Sequence, residues 1–160
     1  MLVVADSSPL IVLISIGHVD VLPTLFDRVL IPPVVAAELR DSTRPIEVRE
    51  FIAHPPTWLM ERAPARIEPI PTLHAGESAA INLVLEVQAD VLLIDEKRGR
   101  RAAMDRHIRI TGTVGVLELA AQAGLLDLAD TFERVKQTDF WISHTLLDER
   151  LRLHRERGNP

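Results

Sequence analysis

Four acidic residues stand where oxygen-ligand chemistry can be assembled. Asp6 ends the apolar run Leu2-Val3-Val4-Ala5, and Asp95 ends Val91-Leu92-Leu93-Ile94. Glu38 follows Val34-Val35-Ala36-Ala37 and precedes Leu39, while Glu77 follows Gly76 with Ala79-Ala80-Ile81 behind it. Each has a plain structural explanation when taken alone. An aspartate often opens a turn or caps a helix, Glu77 adds favourable charge to a first helical turn, and Glu38 occupies a solvated helix face. Taken as one site, like charges ~4 Å apart repel by about 1 kcal/mol in water and ~4 kcal/mol at an effective dielectric of 20. Such a group needs a cation or takes up protons. The chain has no cysteine, and its six histidines (His18, His54, His74, His107, His144 and His154) lack metal-ligand spacing. Oxygen-only ligation suits Mg²⁺ or Mn²⁺ and not Zn²⁺. The chemistry implied is phosphodiester hydrolysis by a metal-activated water.

These acids need a frame that brings strand ends and helix starts together. Short apolar strands are expected over Leu2–Ala5, Arg28–Ile31, about Trp58–Glu61, Val91–Ile94 and Ile108–Ile110. Between them the spacing predicts helices: one capped by Ser8 with Pro9 first and Gly17 as its stop, and a short one over about Val19–Phe26. Others follow Pro32-Pro33 through Leu39 and span Ile46–Ala53, His74–Val87, Glu96–Arg106, Thr113–Ala123 and Leu126–Lys136. Ser143 then caps a last amphipathic helix carrying Leu146, Leu147, Leu151 and Leu153. Strands alternating with helices indicate an α/β domain with a parallel sheet and helices on both faces. In such sheets, sites form at the carboxyl ends of strands, where Asp6 and Asp95 fall.

With 160 residues the chain fits one domain, and a chain of that length buries enough core to need no staples. The absent cysteines exclude disulfides, thiolate metal sites and cysteine nucleophiles. Leu10–Ile16 is the most apolar stretch, far short of the ~20 residues that a bilayer span requires. Met1–Ala5 carries no basic residue of the kind that opens an export signal. The expectation is a soluble cytoplasmic protein with no membrane association. The net charge of −5 does not suggest a polyanion partner. Locally the balance reverses, because Lys97, Arg98, Arg100, Arg101, Arg106 and Arg109 face only Glu96 and Asp105. That basic stretch directly follows Asp95, where a phosphate backbone would want counter-charge, though it also reads as a solvated helix face. With aromatics at 4%, Trp58 and Trp141 read more readily as hydrophobic anchors than as platforms for bases.

At the level of ordered motifs, the chain resembles PIN-domain proteins of the VapC-like toxin ribonuclease type, and within them a branch of PIN-like nucleic-acid-binding proteins. The residues that carry the resemblance are Asp6-Ser7-Ser8-Pro9-Leu10-Ile11, Ile31-Pro32-Pro33-Val34-Val35-Ala36-Ala37-Glu38-Leu39, Leu73-His74-Ala75-Gly76-Glu77-Ser78-Ala79-Ala80-Ile81 and Leu92-Leu93-Ile94-Asp95-Glu96. Gly99-Arg100-Arg101-Ala102-Ala103 and Thr111-Gly112-Thr113-Val114-Gly115-Val116-Leu117 extend it. It implies a single PIN-like domain over 1–160, a three-layer sandwich on a mixed, mostly parallel sheet, with a C-terminal amphipathic helix over 140–157 packed on or near the core. It also implies a Mg²⁺ or Mn²⁺ centre with Asp6 as the shared ligand. Glu38 and Asp95 would bind directly or through water, Glu77 would complete the set, and Glu96 is an alternative ligand. Many relatives carry aspartate where this chain has Glu77. Ser7 would orient a ligand or bind a phosphate oxygen, Thr111 and Thr113 would line the site, and Arg98, Arg100 and Arg101 would meet substrate.

The implied activity is cleavage of single-stranded or loop RNA by the toxin of a toxin–antitoxin pair. Relatives form homodimers and are held inactive by a small antitoxin protein. Two other readings compete with it. One is a non-catalytic PIN-like module that binds nucleic acid or protein. The other is a phosphatase of the haloacid-dehalogenase type, which wants a second aspartate two residues after the nucleophile, where this chain has Ser8.

Overall fold

The computed structural model describes residues 1–158. Among these residues five strands form one sheet: β1 (Leu2–Ala5), β2 (Arg28–Ile31), β3 (Leu59–Glu61), β4 (Val91–Leu93) and β5 (Ile110–Thr111). Their order is β3-β2-β1-β4-β5, and every pairing is parallel. The sheet is therefore parallel throughout, as the alternation of strands and helices indicates, with no antiparallel strand added to the mostly parallel sheet that the resemblance implies. A helical crossover precedes each new strand, and such connections return the chain in the same direction.

Strand alternation sorts the core into two layers. Val3, Ala5, Val29, Ile31 and Leu93 face a large cluster built with α1 (Ser7–Ser15), α2 (Val21–Leu25), α3 (Pro33–Arg40) and α4 (Ile46–Ala53). The same face carries α7 (Thr113–Gln122), α8 (Leu128–Lys136) and α9 (His144–Glu156). Val4, Leu30, Leu92 and Ile94 point the other way, onto α5 (Ala75–Val87) and α6 (Lys97–Asp105). The result is the expected three-layer α/β architecture. Burial on both faces explains why these strands read as unbroken apolar runs. No helix among the described residues is long and apolar enough to cross a membrane.

Three local expectations need correction. The helix after β1 starts at Ser7, with Asp6 rather than Ser8 in the cap position, because Asp6 continues the extended backbone of β1 (φ −79°, ψ 169°). Pro9 is tolerated in that first turn because its missing N–H would have had no partner inside the helix. The last strand begins at Ile110 and not Ile108, because His107 adopts φ 57° and Ile108 N–H still bonds to Ala103 at the end of α6. The tryptophans also separate. Trp58 packs on the core beside Phe51, with ring centroids 6.1 Å apart, whereas Trp141 is 93% exposed and anchors nothing.

Helix α9 is tied down at several points. The Ser143 hydroxyl accepts a hydrogen bond from Leu146 N–H, and Leu147 is fully buried. Arg150 forms two 2.6 Å bonds to Glu118 of α7, and Lys136 of α8 reaches Asp148 at 2.7 Å.

Candidate functional site

The strand order reverses at the β1–β4 boundary. Chain leaving β1 goes to β2 on one side, while β4 lies on the other, so the helices that follow the two strands diverge and leave a crevice. Asp6 and Asp95 stand on its two lips. The register sets Ala5 opposite Leu93, and Asp6 N–H extends the ladder by bonding to Leu93 carbonyl at 2.9 Å.

Helices supply the other acids. Glu38 is on the last turn of α3, and Glu77 is in the first turn of α5, where its carboxylate accepts the His74 N–H at 3.3 Å. The structural explanation for Glu77 therefore holds alongside any chemical one. Gly76 lets the two helices approach: a Cβ there would lie 2.5 Å from Glu38 Oε1 and 3.0 Å from Oε2. Gly112 does the same for Asp95, since a Cβ there would lie 2.6 Å from Asp95 Oδ1.

A cavity of about 300 Å³ collects Asp6, Glu38, Glu77 and Glu96 together with Ser7, Ser8, Arg44 and His74. Asp95 flanks this cavity and lines the two clefts beside it. Burial pushes the Asp6 carboxyl up to about 7, with Glu38, Glu77 and Asp95 adding repulsion against the opposing Ser7 N–H. Burial also raises Glu77, helped by the charges of Glu96 and Glu38. Asp95 is raised by burial despite favourable contacts from three residues. Thr113 N–H reaches its Oδ1 at 2.8 Å, Thr113 hydroxyl donates to Oδ2 at 2.7 Å, and Ser8 and Arg100 also oppose the shift. Among the described residues, no three His, Cys, Asp or Glu side chains form a group ready to hold a metal ion.

The other candidates divide. Ser7 is buried at the cavity, Thr113 fixes Asp95, and Thr111 lines the cleft on the far side of Asp95. Glu96 lines the acid cavity while its carboxylate caps α6 by accepting Gly99 N–H at 2.9 Å. Arg100 turns inward and donates to Ile94 carbonyl at 2.9 Å. Arg98 is exposed and Arg101 pairs with Asp105 at 3.2 Å, and neither lines the acid cavity.

Arg44 was not anticipated. It sits in the turn after α3, held by Asp41, whose carboxylate accepts from Thr43 N–H and whose carbonyl accepts from Arg44 N–H. Its Nε donates to Glu38 carbonyl at 3.2 Å, which places a guanidinium on the wall of an acidic cavity. The signal available beforehand was its position six residues after Glu38 in a polar turn.

The family model DUF3368, described as a PIN domain, matches residues 2–156. The chain belongs to the PIN domain family. Nuclease activity is common among PIN domains, and they typically bind divalent metals. A PilT N-terminus domain protein from the hyperthermophilic archaeon Sulfolobus solfataricus has a similar structure, with a TM-score of 0.53 at 18% identity. The similarity covers 79% of this chain and 95% of that one. It supports the same fold. No curated protein matches the chain significantly.

Proposed function

We propose that this PIN domain is a Mg²⁺- or Mn²⁺-dependent endoribonuclease, the toxin of a type II toxin–antitoxin module. The observation that carries this reading is the convergence of Asp6, Glu38 and Glu77 on one cavity at the strand-order reversal, with Asp95 beside it. Three of these carboxyls are held above their ordinary range, so the folded chain keeps acids where they are costly to ionise. A bound divalent cation relieves that cost, and an all-oxygen donor set suits a hard ion.

Asp6, Glu38, Glu77 and Asp95 would hold the ion, with Glu96 as a further donor. Such an ion, when bound, activates water for attack on phosphorus and neutralises charge on the leaving oxygen. The protein's own part is placement. Thr113 holds the Asp95 carboxylate in one orientation, Gly76 admits Glu38, and Ser7 and Arg44 present a hydroxyl and a positive charge to an arriving phosphate. The antitoxin partner, the homodimer and a cytoplasmic location are supported by the family resemblance alone.

The second reading is a non-catalytic module that binds nucleic acid or protein without cleaving it. Sequencing RNA ends after induced expression separates the two. New metal-dependent ends at a recurring sequence support the nuclease and name its substrate, whereas bound but uncut RNA supports the module.

Gly76 offers a narrower prediction. In Gly76→Ala the new methyl displaces the end of the Glu38 side chain and no backbone, so the fold persists. Alanine also favours the helix by up to about 1 kcal/mol. Cleavage should fall by roughly 10²-fold, as a misplacement of about 1 Å can cause, with the melting temperature unchanged or higher. A parallel loss of activity and stability would contradict that account of Gly76.

A further inference from the structure

Beside the acid cavity lies a cleft of about 430 Å³ that the acid cluster does not explain. Ile11 and Ser15 of α1 and the segment from Thr138 to Trp141 line it. Asp95, Glu96 and Arg44 line it as well. Arg44 lines both this cleft and the acid cavity, so a group gripped by its guanidinium bridges the two.

Trp141 is held out at the rim. Its neighbours Phe140 and Ile142 pack against the core, while its own side chain is 93% exposed. Phe140 N–H bonds to Thr138 hydroxyl at 3.2 Å, and Ser143 begins α9 immediately afterwards. The backbone on both sides of Trp141 is thus held by its neighbours' packing and by the start of α9. The ring also lines the next cleft, which Arg100 shares. An aromatic face and an arginine lining one cleft match the two halves of a nucleotide: a flat base that stacks and a phosphate that takes charge-assisted bonds.

We propose that this cleft binds the nucleotide next to the scissile phosphate of a single strand, its base stacked on Trp141 and its phosphate held by Arg44. The inference rests on the nuclease reading but needs no catalysis to be tested. Trp141 is a binding residue in it, and the base-stacking contact tolerates any sequence because every base presents a π-face.

The test uses fluorescence anisotropy in the Asp6→Asn background with Mg²⁺, so that the strand stays intact. The probes are a fluorescein-labelled oligouridine RNA and an abasic strand of equal length. Trp141→Ala should weaken oligouridine binding by between roughly 5-fold and 100-fold and leave the abasic strand unaffected. Trp141→Phe should restore most of the loss, and Arg44→Ala should weaken both probes. In the cleaving protein, Trp141→Ala should raise KM more than it lowers kcat. The proposal is overturned if the parent protein does not bind oligouridine, or if Trp141→Ala binds both probes as the parent does. It is also overturned if Trp141→Ala changes only the oligomeric state, which would make the rim a contact between copies. Oligouridine bound through Trp141 but never cleaved by the native protein would remove the nuclease reading and leave the cleft assignment standing. Cleavage indifferent to Trp141 would do the reverse.

Discussion

Asp6→Asn is expected to make the metal-free protein more stable at neutral pH while removing its nuclease activity. The Asp6 carboxyl is 5% exposed, and its folded-state value rises from 3.8 to about 7 because burial and three nearby acids disfavour its charge. Between those two values the unfolded chain has released its proton and the folded chain retains it. Stability contributed by this group is therefore complete below about pH 4 and is lost as pH rises towards 7. At about 1.4 kcal/mol per unit, the upper bound on that loss is about 4 kcal/mol. Asparagine keeps the shape and carries no charge, so in chelator at pH 8 the variant should melt several degrees above the native protein. At pH 4 the two should nearly coincide. Glu77 and Asp95 are raised in the same direction and steepen the same decline in the native protein. Millimolar Mg²⁺ should raise the native melting temperature and shift the variant less, since only the native quartet gains a full ligand set. Differential scanning calorimetry across pH, with and without metal, reads all of this. A variant less stable than native protein in chelator at pH 8 would contradict the account.

Thr113→Val should damage both stability and activity, for a different reason. Thr113 is fully buried, and its hydroxyl donates to Asp95 Oδ2 at 2.7 Å while its N–H holds Oδ1. Valine fills the same volume but leaves one carboxylate oxygen without its buried donor, at a cost of about 1.5–3 kcal/mol for a bond to a charged group. The carboxylate is then held by the backbone N–H of residue 113, Ser8 and Arg100 without the hydroxyl that fixes Oδ2, and its proton affinity rises further. Loss of a group that orients a ligand commonly reduces activity by roughly 10- to 100-fold. Thr113→Ser keeps the donor and should recover most of the activity. Urea denaturation and cleavage rates on the three proteins test this. Native behaviour in Thr113→Val would show that Asp95 is not positioned by this bond.

Much of this arrangement was readable from residue types because strands buried on both faces leave little choice of where they end. Asp6 and Asp95 each stop an apolar run, and parallel topology puts such stops on one edge. What sequence could not supply was rotation about helix axes. Whether Glu38 points at Glu77 depends on how closely α3 approaches α5, and the clue is Gly76, whose role appears only when a Cβ is placed there. Arg44 lies in a turn, where no periodicity marks the direction of a side chain. The basic run after Asp95 was legible as charge but not as geometry: Arg100 folds inward to Ile94 carbonyl, while Arg101 spends its charge on Asp105. The outward turn of Trp141 is hidden in the sequence for a related reason. Low aromatic content favours burial as a general expectation, but outside helices and strands no repeat tells which of Phe140, Trp141 and Ile142 turns outward.

The decisive comparison is the single-turnover cleavage of a single-stranded RNA by native protein and Asp6→Asn, each in Mg²⁺ and in chelator. The acid cluster as catalytic metal centre predicts cleavage by native protein only when metal is present, and a rate at least roughly 10²-fold lower for Asp6→Asn. Equal rates for the two proteins, or native cleavage that persists in chelator, would contradict it.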